Sequence, residues 1–211
     1  MISQSEKFQG TFEWRNEGAT TAAISHLWRL IHPYCRFDLL APENIFLPAL
    51  ISVTIIYLIL ELVRLKVPQV NRRFVTCFHT LLREREASTL TSSAYLLMAA
   101  TIVFVFCDKA IAAMGIAFLA VGDPIAGMVR GRFRRVTIRG KSLAGSCVCL
   151  VVCLIIGAIV AATTHVALRL AVIGAICATV IEFLPLPPND NLTIPLISCG
   201  IMTLAKFAAI V

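Results

Sequence analysis

The chain has 211 residues, of which 58% are hydrophobic and 15% charged, and its mean hydropathy is +0.85. This excess of apolar residues excludes an ordinary soluble domain and predicts one integral membrane domain. The net charge of +7 would suit a nucleic-acid-binding protein, but the basic residues fall in two loops that flank apolar stretches, around residues 64–85 and 130–141. That is the positive-inside pattern, so no nucleic-acid partner is expected.

Residues 1–44 form a polar N-terminal segment that precedes a transmembrane domain over residues 45–211. One apolar helical stripe, ended by Pro33, is formed by Ile24, Leu27, Trp28 and Ile31. The stripe is too short and too polar to cross a bilayer, so the spacing predicts an interfacial helix. The segment has neither the basic start nor the apolar core of a signal peptide.

Six apolar stretches follow, and each is about as long as the ~20 residues that cross the hydrocarbon core of a bilayer. Their approximate bounds are 45–63, 90–107, 110–129, 144–162, 166–184 and 192–211. The sequence therefore predicts an all-α, polytopic bundle of about six transmembrane helices. Counting the spans places both basic loops and residues 185–191 on one side, which the positive-inside rule makes the cytoplasmic face. Within the first basic loop, residues 74–82 are expected to form a surface helix.

Small residues inside the spans are interpreted as packing positions. Four glycines are expected where two helices approach closely: Gly115, Gly157, Gly174 and Gly200. The eight cysteines show no disulfide framework, and those in the spans are expected to behave as small hydrophobic residues. Cys149 and Cys153 share a helix face, but the residues that would complete a zinc site are missing from the pattern.

Three carboxylates are candidates for chemistry. Asp123 falls near the cytoplasmic end of the third span, where an acidic side chain indicates function more often than structure. Glu182 occupies a similar place in the fifth span, and the sequence leaves open whether it acts in chemistry or pairs with an arginine of a basic loop. Asp190 precedes the last span, where it either binds a ligand or caps the helix. Mg²⁺ that bridges phosphates takes one or two carboxylates, so two of these acids would suffice.

The segment between the third and fourth spans carries candidates for phosphate binding. Lys141 offers a positive charge, Ser142 and Ser146 offer hydroxyls, and Gly145 lets the backbone approach closely. The N-terminal amides of the fourth helix would also favour an anion. A Walker nucleotide site is excluded, because Arg135 stands where its first glycine would be and no strand precedes it. The alternative to a phosphate-binding site is a basic loop that only contacts the anionic head groups of lipids.

These residues resemble a known family. The pattern Gly122-Asp123-Pro124-x-Ala126, a basic loop, and then Lys141-Ser142-x-x-Gly145-Ser146 is similar to the CTP-dependent lipid kinases, which comprise dolichol kinase, phytol kinase and the yeast-type diacylglycerol kinase. Outside that core, Glu61-x-x-Arg64 through Asn71, Arg83-x-x-Glu86, Glu182 and the run Asp190-Asn191-Leu192-Thr193-Ile194-Pro195-Leu196 also resemble the family. The resemblance covers about residues 58–200. The chain departs from the family pattern at Arg134, where glycine is usual, and at Ala144, where glutamate is frequent.

The resemblance implies transfer of the γ-phosphoryl group of CTP to the hydroxyl of a membrane lipid alcohol, with Mg²⁺ as cofactor. It implies catalytic roles for Asp123, Lys141 and Glu182, and metal binding by Asp123, Glu182 and Asp190. The implied nucleotide-binding residues are Gly122, Arg132, Lys141, Ser142, Gly145 and Ser146. Either Asp123 or Glu182 would accept the proton of the lipid hydroxyl.

Two other functions stay open from the sequence. The related phosphatidate cytidylyltransferases, which make CDP-lipids, carry a similar core motif, and a membrane protein without enzymatic activity is the third interpretation. The active site is expected at the cytoplasmic face of a bacterial inner membrane or of the endoplasmic reticulum. Whether the protein forms a homo-oligomer is left open.

Overall fold

The computed structural model describes residues 43–78, 82, 84–132, 137–138, 141–164, 166–184 and 186–208. The predicted N-terminal interfacial helix lies outside the described residues. The helices are α1 (Glu43–Lys66), α2 (Pro68–Phe78), α3 (Ser92–Phe106), α4 (Lys109–Ala117), α5 (Asp123–Arg132), α6 (Leu143–Thr164), α7 (Leu168–Phe183) and α8 (Asp190–Phe207). A 3₁₀ turn covers Glu84–Ala87, and two short strands, β1 (Thr137–Ile138) and β2 (Lys141–Ser142), pair antiparallel.

Three helical stretches are long and apolar enough to cross a membrane: Ile45–Lys66, Lys109–Val129 and Leu143–Thr164. Helix α3 is apolar but shorter, since its 15 residues rise about 22 Å. Helices α7 and α8 coincide with the fifth and sixth predicted spans. The prediction of a helical architecture is confirmed, and three spanning helices are compatible with a membrane protein. The count of six stays a prediction.

Helix α7 packs between α6 and α8 and runs antiparallel to both, whereas α3 packs on α8 in the same direction, so that Ser92 and Asn191 meet at their first turns. Its core contains Ile111, Met114, Phe118, Leu119 and Met202, all almost completely buried. Helices α1 and α6 also expose many large aliphatic side chains on their outer surface. Such an outward apolar face is what a helix needs when its solvent is lipid rather than water.

Three of the four predicted glycine contacts are confirmed. A Cβ atom on Gly115 would lie 2.2 Å from Cys199 Sγ, one on Gly174 would lie 2.3 Å from Met202 Sδ, and one on Gly157 would lie 3.1 Å from the Cβ of Ala171. The prediction for Gly200 was wrong for the described part of the chain, because a Cβ atom there would meet none of its atoms within 4 Å. Helix α8 turns Gly200 away from its neighbours and Cys199 toward α4.

Helices α4 and α5 are joined by a π-helical turn, Phe118–Gly122, rather than by a loop. Pro124 follows this turn, and its ring would collide with the carbonyl group of Ala120 in a regular α-helix. The wider turn relieves that collision and carries the chain without a break into Asp123. A single long helical element therefore leads from Lys109 to the predicted functional carboxylate.

The first basic loop contains a surface helix, but its position differs from the prediction. Helix α2 covers Pro68–Phe78, and none of its residues is buried. The proline at its first position sets the start, because its missing N–H group costs nothing in the first turn. The predicted helix, residues 74–82, was thus placed too far toward the C-terminus.

Candidate functional site

Lys141 lies at the end of the bundle where α6 and α8 begin and α7 ends. It belongs to β2, whose pairing with β1 places Lys141 opposite Ile138. The side chain turns inward and is only 9% exposed. Its Nζ atom donates to Glu182 Oε1 at 3.1 Å and to Asp190 Oδ2 at 2.8 Å. The predicted convergence of this lysine with two of the three candidate carboxylates is therefore observed.

Glu182 is the most deeply buried of these groups, with 1% of its side chain exposed. Its second oxygen, Oε2, accepts a hydrogen bond of 3.0 Å from Ser146 Oγ. A buried carboxylate is tolerated only when it is paired and hydrogen-bonded, and Lys141 and Ser146 meet both conditions. Lys141 is thus a partner of Glu182, which the sequence left open. We call Lys141, Glu182, Asp190 and Ser146 the lysine site.

Asp190 belongs to the first turn of α8 but is not its cap. Asn189 is the N-cap residue, and its Oδ1 accepts from the backbone N–H of Asn191 at 3.0 Å. The alternative interpretation, that Asp190 caps α8, was therefore wrong, because Asn189 caps this helix. A carboxylate in a first turn also interacts favourably with the positive end of the helix dipole. Asp190 is 25% exposed, so it lies at the entrance of the lysine site.

The charges around Lys141 decide its protonation state. Burial lowers the pKa of Lys141, but the hydrogen bond and charge of Asp190, with the charges of Glu182 and Asp123, outweigh this effect and raise it above the ordinary 10.5. The lysine is therefore a permanent cation at neutral pH. Asp123 lies near enough to contribute to this field, although Glu182 and Asp190 make the direct contacts.

The predicted hydroxyls and glycines line the first turn of α6. Ser142 Oγ accepts from the backbone N–H of Gly145 at 3.1 Å, which makes Ser142 a capping residue for this helix. A Cβ atom on Gly145 would lie 2.8 Å from the carbonyl oxygen of Ala126. Glycine is thus required for the close approach of α6 to α5. This approach brings the segment after Asp123 against the segment after Lys141.

Gly122 has a packing role. A Cβ atom there would lie 2.9 Å from Cys153 Sγ and 3.1 Å from Cys149 Sγ. These two thiols lie 3.9 Å apart on α6, as their shared helix face predicted. All seven cysteines in the described part of the chain are free thiols. The backbone of Arg132 ends α5, and its side chain lies outside the described part, so its predicted role stays a prediction.

The donor types fit Mg²⁺, which prefers carboxylate oxygens together with water and phosphate oxygens. Among the described residues, however, no three histidine, cysteine, aspartate or glutamate side chains form a group that could hold a metal ion by themselves. Both oxygens of Glu182 are engaged within the protein. An ion at this place would therefore need water or another ligand beside one or two carboxylates.

A second buried charge group lies beside the lysine site, and sequence reasoning assigned it no role. Arg64 is 2% exposed and binds both oxygens of Glu61, at 2.6 and 3.3 Å. Its guanidinium group also donates to Asn71 Oδ1 and to the backbone oxygens of Glu86 and Thr89. We call Glu61, Arg64, Asn71 and Glu86 the arginine cluster. The spacing of an acid and an arginine three residues apart at the end of an apolar span was the signal for it.

The arginine cluster fixes the start of α3. Glu61 Oε1 accepts from the backbone N–H of Thr91 at 2.7 Å, and Glu86 Oε1 accepts from the backbone N–H of Ser92 at 2.9 Å. The carbonyl oxygen of Ser92 in turn accepts from Asn191 Nδ2 at 3.0 Å. Asn191 is the next residue in the chain after Asp190. These hydrogen bonds therefore connect the arginine cluster to the helical turn that carries Asp190 of the lysine site.

Comparison with protein-family models, with characterised proteins and with solved structures finds no match. The resemblance to the CTP-dependent lipid kinases therefore rests on the short motifs of the sequence, and a function must be argued from the geometry of the site.

Proposed function

We propose that this protein is a membrane-embedded kinase that transfers the γ-phosphoryl group of CTP to the hydroxyl group of a membrane lipid alcohol. The observation that supports this proposal most is the position of Lys141 between Glu182 and Asp190, at the point where α6 and α8 begin. A charged amine and helix N-termini are groups that hold a polyphosphate, and carboxylates can hold the Mg²⁺ that neutralises its charge.

Lys141 is the phosphate-binding group in this proposal. Its ammonium is held in place by Glu182 and Asp190, so it needs little reorganisation when a triphosphate enters. The backbone amides of the first turn of α6, around Gly145, point in the direction that favours an anion. As the bond between the β- and γ-phosphates breaks, these groups stabilise the charge that develops on the leaving CDP.

Asp123 is the proposed base. The lipid hydroxyl oxygen forms a bond to the γ-phosphorus, and its proton passes to a carboxylate. Glu182 suits this step poorly, because it is nearly inaccessible and both of its oxygens are engaged. Asp123 is half-buried, at the end of the π-helical turn. Glu182 then acts as a positioning residue for Lys141.

Asp123 and Asp190 are the residues that would hold Mg²⁺. Bound Mg²⁺ would neutralise part of the charge on the donor phosphates. Asp190 is exposed enough to meet a ligand, and its carboxylate is already directed into the lysine site.

The six predicted spans and a cytoplasmic position of the lysine site belong to the same proposal. Three helices long and apolar enough to cross a bilayer, and the outward apolar faces of α1 and α6, support the membrane location. The acceptor is then a lipid whose hydroxyl group reaches the interface while its tail stays between the helices and the surrounding lipid.

The test is a labelling assay with purified protein in lipid nanodiscs, CTP or ATP labelled at the γ-phosphate, and a set of polyprenols, phytol and diacylglycerol. We expect a phosphorylated lipid with CTP, and loss of at least about 100-fold in rate for Asp123→Asn and for Lys141→Ala. Lys206→Ala is the matched control, because Lys206 also pairs with an acid, Asp108, but at the opposite end of the bundle. Equal activity of Lys141→Ala and Lys206→Ala would refute the proposed role of Lys141.

The released nucleotide separates the proposal from its main alternative. A kinase releases CDP, whereas a cytidylyltransferase releases pyrophosphate and leaves the cytidylyl group on the lipid. Protection of the protein from thermal unfolding by CTP with Mg²⁺ is expected for either enzyme and not for a non-enzymatic membrane protein.

A further inference from the structure

Helix α2 presents an apolar side that stays partly exposed, although the rings of Phe74 and Phe78 contact each other there with their centres 4.8 Å apart. Val70, Cys77 and Phe78 are all exposed, and so is Val67, which immediately precedes the helix. At 100° per residue these side chains lie on one side of α2, and the exposed polar side chains of Gln69, Arg72 and Thr76 lie on the other. An exposed apolar edge opposite a basic polar face is typical of helices that lie in a membrane interface.

The arginine cluster fixes the rotation of α2 about its axis. Asn71 Nδ2 donates to the carbonyl oxygen of Ala87 at 2.8 Å, and Asn71 Oδ1 accepts from Arg64 at 3.0 Å. The guanidinium carbon of Arg64 also lies 4.9 Å from the centre of the Phe74 ring. These contacts hold the side of α2 that carries Asn71 and Phe74 against the protein. Since Phe74 lies between Val70 and Phe78 around the helix, these contacts direct the apolar side of α2 toward the end of the bundle and leave Val70, Cys77 and Phe78, which flank Phe74, exposed.

The apolar edge of α2 continues the lipid-facing surface of α1. Ile59, Leu60 and Val63 are exposed on the last turns of α1, and Val67 and Val70 extend that surface after the helix ends at Lys66. Arg72 and Arg73 are both exposed on α2, and at 100° per residue Arg73 borders the apolar side while Arg72 lies on the polar side. Basic side chains at the border of an apolar surface are complementary to the anionic head groups of a bilayer leaflet.

From these observations we infer that α2 is a membrane-contacting helix that binds the anionic leaflet on the side of the lysine site. Val70, Cys77 and Phe78 enter the acyl-chain boundary, and Arg73, at the border of this apolar side, meets lipid phosphates. This inference rests on the proposed membrane location but not on the proposed kinase activity, and the experiment below uses no nucleotide.

The test measures how fast a membrane-impermeant maleimide modifies two neighbouring positions, with each site quantified by peptide mass spectrometry so that the native cysteines can stay. One position is the native Cys77 on the apolar edge. The other is the variant Thr76→Cys/Cys77→Ala, which places a thiol one residue away on the polar side. The full-length protein is compared in nanodiscs of phosphatidylcholine and in nanodiscs where phosphatidylglycerol replaces part of it. Cys147, exposed on α6, serves as a lipid-facing control thiol.

We expect Cys77 to react more slowly than the thiol at position 76, and the difference to increase when phosphatidylglycerol is present. Because an arginine near an anionic leaflet adds roughly a fivefold preference for it, R73Q should reduce that increase about fivefold, whereas R72Q, on the polar side, is the matched control and should reduce it less. Both arginines are exposed, so these variants leave the packing of the bundle intact.

Two results would overturn the inference. Equal and fast modification of both positions in every lipid would show that α2 projects into water. Slow modification of both positions, independent of lipid composition and of the arginines, would show that α2 is covered by protein, either a partner or a second copy. A kinase assay that fails while Cys77 shows lipid-dependent protection would refute the proposed function and leave this inference standing.

Discussion

Replacement of Lys141 by methionine tests the physical basis of the lysine site. The variant keeps most of the side-chain volume and removes the ammonium that lies between Glu182 and Asp190. Glu182 then keeps its hydrogen bond to Ser146 but loses the ammonium group of Lys141 while it remains 1% exposed. Removal of one partner from such a buried pair costs about 3–5 kcal/mol. In a chain of this size, that loss lowers the melting temperature by roughly 6–20 °C.

The assay is thermal unfolding of all variants in one detergent at one scan rate. Membrane proteins unfold irreversibly, so melting temperatures can be compared only between scans made under the same conditions. Lys206→Met is the control, since Lys206 and Asp108 are each 52% exposed and an exposed pair contributes about 0–1 kcal/mol. The double variant Lys141→Met/Glu182→Gln removes the buried charge and should recover part of the loss. If Lys141→Met melts within the error of Lys206→Met, the carboxylates are not buried as described and the reasoning is refuted.

Three further predictions concern the frame around the site. Arg64→Lys should lower the melting temperature by about 4–12 °C, because an ammonium cannot replace the fork that joins Glu61, Asn71 and two backbone oxygens; a variant as stable as the native chain would contradict this. Gly115→Ala should destabilise by about 1–3 kcal/mol through its collision with Cys199, whereas Gly200→Ala should be neutral or slightly stabilising, and denaturant unfolding of both variants in parallel decides. Because the pKa of Lys141 is raised on folding, its contribution to stability is fully present below pH 10.5 and is lost as the pH rises through the higher pKa of the folded state. The difference in melting temperature between the native chain and Lys141→Met should therefore stay constant at neutral and mildly alkaline pH. It should narrow only above pH 10.5.

The helical frame was predictable because apolar runs and interrupting charges determine where membrane-type helices begin and end. The convergence of Lys141 with Glu182 and Asp190 was also predictable, since counting spans places all three at one end of the bundle. The pairing of Glu182 with Lys141 could not be predicted, because a sequence does not show which of several basic side chains turns inward. The cap at Asn189 and the outward rotation of Gly200 likewise depend on details of local geometry.

The arginine cluster shows a different limit of sequence reasoning. Glu61 and Arg64 were visible as charges at the end of a span, but their partners at residues 86, 89 and 91 come from a loop whose path no periodicity predicts. The bond from Asn191 to Ser92 joins residues far apart in the chain, so it follows only from the folded bundle.

The π-helical turn before Asp123 makes the number of residues in this element part of the site. A π-helical turn holds one residue more than an α-helical turn, so loss of one residue from Phe118–Val121 would convert it to a regular α-turn. The ring of Pro124 would then press against the carbonyl group four residues before it, beside Asp123, although no functional side chain had been exchanged. Point substitutions in this turn should be tolerated more easily than a one-residue deletion, because the deletion removes the room that Pro124 needs.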